Sequence, residues 1–239
     1  MRVFSVKDGS NPRTLVGHTR AVTSLAILGR GKLVVSGSSD GTVRVWRLSD
    51  GECVLSRELS DEVTTLDVLD APQDALADSA DGCSVVAGLS SGRCVVVDLS
   101  AESLQPLRTL AGTQAPPVTS LAVAPKTRSV ALGSRDGAVS VYDITRGEGT
   151  EPAATLRLQL RRSETTIRSL QWIEGHLLVA TSDGAAYMLA LRPHGDDVDA
   201  RVTEDFAGNE MYACVAHGVD GHALVGSKDG CVRVYTIDR

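Results

Sequence analysis

The sequence predicts an all-β propeller of four-stranded antiparallel blades, and three observations carry that prediction. Five times a short apolar strand runs into a turn of Ser, Thr or Asp closed by Gly, and a second strand leaves it: VVSGSSDGTVRVW, VVAGLSSGRCVVVD, VALGSRDGAVSVYD, LVATSDGAAYMLA and ALVGSKDGCVRVY. The turn glycines Gly41, Gly92, Gly137, Gly184 and Gly230 lie 51, 45, 47 and 46 residues apart, a period that marks a repeat architecture. The strands flanking these turns are apolar on both faces, as in CVVVDL, whereas a sheet wetted on one side alternates apolar with polar. Each sheet is therefore expected between two others, an arrangement that radial stacking provides. Connections are short and rich in Gly, Pro, Ser and Asp, and no long helical pattern interrupts them.

Taken in order, the chain opens on MRVFSV at 1–6, which is like VRVW and VRVY and reads as the third strand of a repeat whose first two strands are missing. A second leading strand covers 12–16 (PRTLV). The first full unit places strands at 21–27, 33–38, 42–48 and 52–59, and the equivalent first strands begin near Glu62, Pro117, Thr166 and Met211. The repeat units span about 12–59, 60–110, 111–161, 162–206 and 207–239 of a single domain, 1–239, with 1–6 as an orphan strand. One connection, 69–82, is enlarged and carries Asp70, Asp74, Asp78 and Asp81; it lacks the D-x-D-x-D-G spacing of a calcium loop and reads as a solvated acidic insertion.

The count is 21 strands, one more than five blades need, so the expected ring has five blades and closes by laying 12–16 outside the last three strands. The alternative is an incomplete ring or one completed by a partner. A six-position ring would need three more strands, from a partner chain or from sequence of a longer propeller of which this is a fragment, and exposed edges invite strand addition.

Composition bounds the functions. With 239 residues, 42% hydrophobic, the chain can bury a large core. Its apolar stretches fall far short of the roughly 20 residues of a membrane-spanning helix, and MRVFSVKDGSNP has no secretory h-region, so a soluble intracellular protein without membrane insertion is expected. Five cysteines with no C-x-x-C read as buried reduced thiols, which suits cytoplasm or nucleus. A formal charge of −6 argues against a broad grip on nucleic-acid phosphate.

Several residues invite chemistry without supporting it. Gly37 to Gly41 and Gly88 to Gly92 both match G-x-S-x-G, but a nucleophile elbow needs a helix after the turn and a strand follows here. His217 and His222 flank a GVDG turn without further ligands at metal spacing. No metal, cofactor or catalytic residue is expected.

Gly17-His18, SGSSDG at 36–41 and VRVW at 43–46 together resemble the WD-repeat β-propeller family, and the resemblance covers almost the whole chain. It implies a hydrogen-bonded structural network of His18, Ser36 or Ser38, Asp40 and Trp46. Only the first unit has the full set. The other turns carry Ser91, Asp136, Asp183 and Asp229 without a Gly-His, so the later blades are expected to rely more on apolar packing. The resemblance further implies a non-enzymatic interaction scaffold or adaptor, a member of a multi-subunit complex, that binds peptide segments or subunits on the face bearing the Asp-Gly turns. There Arg20, Asp61, Arg135, Arg168 and Lys228 are the candidate partner-binding residues, the cations suiting an acidic or phosphorylated peptide. A structural subunit completed by a partner strand is one alternative. The other is a glycan-processing five-bladed enzyme, for which Glu62, Asp67 and Glu210 are the nearest carboxylates.

Overall fold

The computed structural model describes residues 1–3, 13–28, 31–59, 61–71, 82–99, 106–109, 116–124, 127–146, 152–173, 175–194, 197–205, 213–219, 222–227 and 230–236. These residues form strands and turns. Four sheets are complete four-stranded antiparallel blades. Blade one is β3 (Val22–Leu28), β4 (Leu33–Ser38), β5 (Thr42–Arg47) and β6 (Cys53–Glu58). Blade two is β7 (Val63–Asp70), β8 (Ser84–Leu89), β9 (Cys94–Asp98) and β10 (Pro106–Thr109). Blade three is β11 (Val118–Val123), β12 (Ser129–Ser134), β13 (Ala138–Arg146) and β14 (Pro152–Arg161). Blade four is β15 (Ile167–Ile173), β16 (His176–Thr181), β17 (Ala186–His194) and β18 (Asp197–Asp205). Blade five has three strands, β19 (Ala213–Val219), β20 (His222–Ser227) and β21 (Val232–Thr236), and β1 (Arg2–Val3) pairs with β2 (Arg13–Thr14) as a separate hairpin. The 21 strands match the count read from the sequence, and each inner strand begins one or two residues later than expected. The acidic insertion lies largely outside the described residues.

Blades one to five pack in chain order through their inner strands, β3 against β7, β7 against β11, β11 against β15 and β15 against β19. At three of these junctions a strand glycine of one blade receives a Val or Ile from the next, joined at Gly37 and Gly133 by a Leu. A Cβ added at Gly37 would lie 2.6 Å from Val63 Cγ1 and 2.9 Å from Leu66 Cδ2; at Gly88 it would lie 2.6 Å from Val118 Cγ1, and at Gly133 2.5 Å from Ile167 Cγ2. The apolar cores sit between blades, with Leu33, Val35, Val43 and Val45 facing Val63, Leu66, Val85 and Ala87 across the first junction.

The expected closure is corrected by the structure. Among the described residues the strand at Arg13–Thr14 pairs with β1, not with β21. Local anchoring explains this: the Leu15 amide donates to the Met1 carbonyl at 2.9 Å, Arg13 donates to the Leu48 carbonyl at 2.7 Å and to the Ser49 carbonyl, and Leu15 is buried beside Gly51. Both leading strands are thereby held against the outer part of blade one.

Each inner strand opens with a register shift that leaves its second residue bulged: between Val22 and Ser24, Val63 and Thr65, Val118 and Ser120, Ile167 and Ser169, and Ala213 and Val215. A bulge re-aims its extra side chain. Thr23 uses the freedom to donate to the Gly37 carbonyl at 3.1 Å and, across the junction, to the Val63 carbonyl at 2.8 Å. Thr119 does the same toward Gly133 at 3.2 Å and Ile167 at 2.7 Å, and Thr64 reaches Gly88 at 2.9 Å.

The glycine seats yield a stability prediction. Gly88→Ala forces a methyl group into the Val118 side chain and should cost about 1–3 kcal/mol, read as a lower urea midpoint. Gly31→Ala is the comparison: nothing lies within 4 Å of an added Cβ there, although its φ of +85° strains any L-residue. A smaller loss at Gly88 than at Gly31 would show that blade spacing is not set by these contacts.

Candidate functional site

The Gly turns and the starts of the inner strands share one face, and in blades one to four backbone bonds tie them together. The amides of Ser39, Ser90, Arg135 and Ser182 donate to the carbonyls of Ala21, Glu62, Pro117 and Thr166 at 2.9 to 3.0 Å. Gly41, Gly92, Gly137, Gly184 and Gly230 all have positive φ, which the turn geometry demands and which glycine adopts without a Cβ clash.

In blade one the turn is locked by side chains. The Trp46 indole donates to Ser36 Oγ at 2.8 Å, Ser36 Oγ lies 2.7 Å from His18 Nε2, and His18 Nδ1 lies 2.9 Å from Asp40 Oδ2. With Nδ1 protonated toward the carboxylate, Nε2 accepts from Ser36 and the chain of donors runs without conflict. The structure thus selects Ser36; Ser38 instead takes the Asp40 amide at 3.1 Å and reaches the Arg20 carbonyl at 3.4 Å. Burial pushes the Asp40 carboxyl up, but hydrogen bonds from Thr42, the Thr19 amide and His18 outweigh it and hold the carboxyl well below the usual range. Every arm of this network is internal, so it aligns the turn and leaves no group for chemistry.

The other turns use smaller devices. Asp136 accepts from Ser134 and is paired with Arg161, and Asp183 accepts from Thr181. Blade two, with Ser91 where others have Asp, borrows a carboxylate from its inner-strand start: Ser90 Oγ and the Glu62 amide each donate to Asp61 at 2.8 Å. Burial raises the Asp61 carboxyl and these bonds, with those from Ser91, bring it below its ordinary value.

The five candidate binding residues separate accordingly. Asp61 is engaged in the blade-two turn. Arg20 bridges blades one and two, donating to Glu62 Oε1 at 2.5 Å and to the Ser39 carbonyl at 3.0 Å. Arg135 and Arg168 are exposed, one on each side of the junction of blades three and four, where Thr166 Oγ1, two residues before Arg168, donates to the Arg135 carbonyl at 3.0 Å. Lys228 lies outside the described residues, as do Glu210 and the turn acid Asp229. Arg168 occupies the bulge position at which blades one to three carry Thr23, Thr64 and Thr119. Comparing that column across the five units would have singled it out in the sequence. Arg162, on the same approach to blade four, stacks 4.7 Å over the Tyr187 ring.

Asp67 was missed as a structural residue. Its Oδ2 accepts the Val123 amide of the next blade at 2.8 Å, Oδ1 accepts the Val68 amide, and burial raises its carboxyl above the ordinary value. With Asp67 bonded to backbone and Glu62 held by Arg20, neither carboxylate stands free for acid or base work. Of the cysteines, Cys83 and Cys94 are buried, with burial pushing the Cys94 thiol far up, while Cys53 is half-buried and Cys231 is exposed, which departs from the expectation for that residue. Among the described residues no three His, Cys, Asp or Glu side chains converge in a metal-ligand cluster, and no helix is long and apolar enough to cross a membrane.

The repeated four-stranded blades are those of a β-propeller, and the His18–Ser36–Asp40–Trp46 network lies within its first blade. A family model described as WD domain, G-beta repeat, matches residues 9–47 and 104–143, so the chain carries WD repeats in these two regions. It is similar to the yeast 26S proteasome regulatory subunit RPN14, 59% identical over 32 residues, which are 13% of this chain and 8% of the relative. It is also similar to the Drosophila grimshawi ribosome biogenesis protein BOP1 homolog, 40% over 47 residues (20% and 6%), and to the mouse WD repeat and HMG-box DNA-binding protein 1, 41% over 56 residues (23% and 5%). The chain thus spans less than a tenth of the length of each of these relatives.

Two titrations of opposite sign follow. Asp40 is lowered in the fold, so its stabilisation is present above the unfolded value of about 3.8 and is lost as pH falls through the folded value. Asp40→Asn should therefore cost about 1.5–3 kcal/mol at pH 7, with the deficit shrinking below pH 3.8, in urea melts. Asp67 is raised, so stability is greatest below 3.8 and falls as pH rises through the folded value. Asp67→Asn should raise the urea midpoint at pH 7 and leave it unchanged well below pH 3.8; a loss at pH 7 would mean that the charged carboxylate is the preferred acceptor for Val123.

Proposed function

We propose that this chain is a non-enzymatic interaction scaffold that docks acidic or phosphorylated peptide segments on the turn face at the junction of blades three and four. The observation that carries the reading is Arg168. Three blades fill the bulge position with a threonine bonded to backbone, and blade four presents an exposed guanidinium there, across the same junction from the exposed Arg135. Two forks at one junction suit a carboxylate or phosphate, since planar guanidinium pairs with such oxygens in bidentate fashion. Arg20 and Asp61 serve as supports of the face, because their charges are satisfied within the chain. Lys228 stands at the equivalent turn position of blade five and extends the same face by sequence.

The names of the relatives, a proteasome regulatory subunit and a ribosome biogenesis protein, support membership of a multi-subunit assembly in the cytoplasm or nucleus. Loops held by a rigid scaffold are where such binding residues collect.

The test is fluorescence anisotropy against a library of acidic peptides and their phosphorylated forms. Arg135→Glu with Arg168→Glu should weaken the best binder by more than tenfold, at least about 1.4 kcal/mol, and steepen no melting transition, because neither side chain is buried. Arg20→Glu should change affinity little. Equal affinity for the double variant and the parent removes this face as the site.

A further inference from the structure

A cavity of about 180 Å³ lies between blades two and three, reaching from Tyr142 on β13 to Gly92, Pro116 and Asp136 on the turn face. Comparison with blade one explains it. There the same surface carries Thr42, Arg44 and Trp46, and Gly17 and His18 pack over it: His18 reaches Ser36 and Asp40, and a Cβ on Gly17 would lie 3.0 Å from the Trp46 ring. Blade three has Ala138, Ser140 and Tyr142 at those three positions, each smaller than its counterpart, and Leu132 where Ser36 stands. The residues equivalent to Gly17 and His18, at 113 and 114, lie outside the described residues.

The lining combines unsatisfied polar groups with a neutralised pair. The side chains of Ser140, Tyr142 and Gln159 make no hydrogen bond among the described residues, whereas Ser36, Thr42 and Trp46 are all bonded in blade one. Burial and the neighbouring Cys94 push the Tyr142 phenol up, so it stays protonated and keeps its donor. Asp136 is paired with Arg161, which leaves this site without net charge. Much of the remaining lining is apolar, from Pro116, Val118 and Leu132, and Leu156, cross-strand from Tyr142 on the same sheet face, is 48% exposed.

Size and chemistry together select the occupant. A cavity of about 150 Å³ accommodates a benzene-sized molecule, and pockets for drug-sized ligands start at roughly 300 Å³. The space therefore suits one small ring. Its faces would lie on Pro116, Val118 and Leu132, and a substituent that both donates and accepts would meet the two hydroxyls and the Gln159 amide. A charged group would be desolvated with no counter-ion left over, since Asp136 and Arg161 satisfy each other. We propose that this cavity binds an uncharged phenol ring, supplied by a tyrosine side chain of the peptide docked on the turn face. Arg135 lies on the same turn, between Ser134 and Asp136, both of which line the cavity, so one peptide can span the arginine pair and the ring site. The peptide as source rests on the function proposed above; the preference for the ring does not.

The probe is p-cresol, a tyrosine side chain without its backbone, titrated into the full chain by calorimetry and saturation-transfer NMR. It should bind saturably at one to one, about fivefold or more tighter than toluene, which lacks the hydroxyl, and than 4-methylbenzoate, which is charged. Ser140→Leu should fill the space and weaken p-cresol at least about tenfold. Tyr142→Phe keeps the shape of the wall and should shrink the preference over toluene, a readout that survives if Ser140→Leu fails to fold. Absence of saturable binding, indifference to both variants, or toluene or 4-methylbenzoate binding as tightly overturns the proposal. So does binding that appears only in Gln114→Gly, which would show that the chain's own segment holds the site. In a second arm, replacing tyrosine by phenylalanine in the tightest peptide of the anisotropy series should weaken it about fivefold; no change, or a tightest peptide without tyrosine, overturns the peptide as source. Arg135→Glu with Arg168→Glu should leave p-cresol affinity as in the parent, so failure of the arginine site and failure of the cavity are told apart.

Discussion

The distance between neighbouring blades is set by a side chain that is absent. Gly37, Gly88 and Gly133 let a Val or Ile of the following inner strand sink into the sheet, with a Leu beside it at Gly37 and Gly133, and any Cβ there would meet a methyl at 2.5–2.6 Å. Close-packed interiors do not absorb such an overlap without moving whole elements. The remaining junction contacts presuppose that spacing. Thr23 and Thr119 reach carbonyls of the next blade, Trp172 donates to the Ala122 carbonyl at 3.1 Å, and Arg128 meets Asp70 at 2.5 Å, only because the inner strands lie this near. Blade four has Ala180 at the same position, and its junction with blade five compensates with small partners, Ala186 and Ala223, around Leu178, Met188 and Val225.

Polar structure is distributed unevenly around this apolar frame. Ser36 sits where the other blades have Ala87, Leu132, Val179 and Val225, so blade one alone can anchor an indole and an imidazole on its strand. The others must stabilise their turns with a hydroxyl and a carboxylate two residues apart, as Ser134 with Asp136 and Thr181 with Asp183. Blade two goes further and recruits Asp61 from outside the turn. A carboxylate near a turn is therefore a shared structural need, met from different sequence positions, which is why Asp61 looks like a surface charge in the sequence and is a turn support in the structure.

Period, strand number and strand order were legible because each depends on local pattern: apolar runs, Gly turns, and spacing near one blade. Closure was not. Which strand a short segment joins depends on contacts distant in sequence, and Arg13 finds the Leu48 and Ser49 carbonyls before it finds β21. The inner-strand bulge was equally hidden, since Thr, Arg and Cys at the second position are all compatible with a strand. The structural role of Asp67 was hidden for a related reason, since its partner is a backbone amide of the next blade, distant in sequence.

Presenting Arg168 has a structural consequence that locates it more firmly than its exposure does. The threonines at this position in blades one and three bond forward, to the first carbonyl of the next inner strand. Blade four has Arg168 in that position. Its backward junction, to blade three, carries three side chain to backbone bonds instead, from Thr119, Thr166 and Trp172, so the inner strand bearing Arg168 is pinned on the side where Arg135 stands. These bonds fix the backbone that carries Arg168, so a ligand at this junction would have no strand to order and would set its contacts only against the rotamer freedom of the exposed side chains.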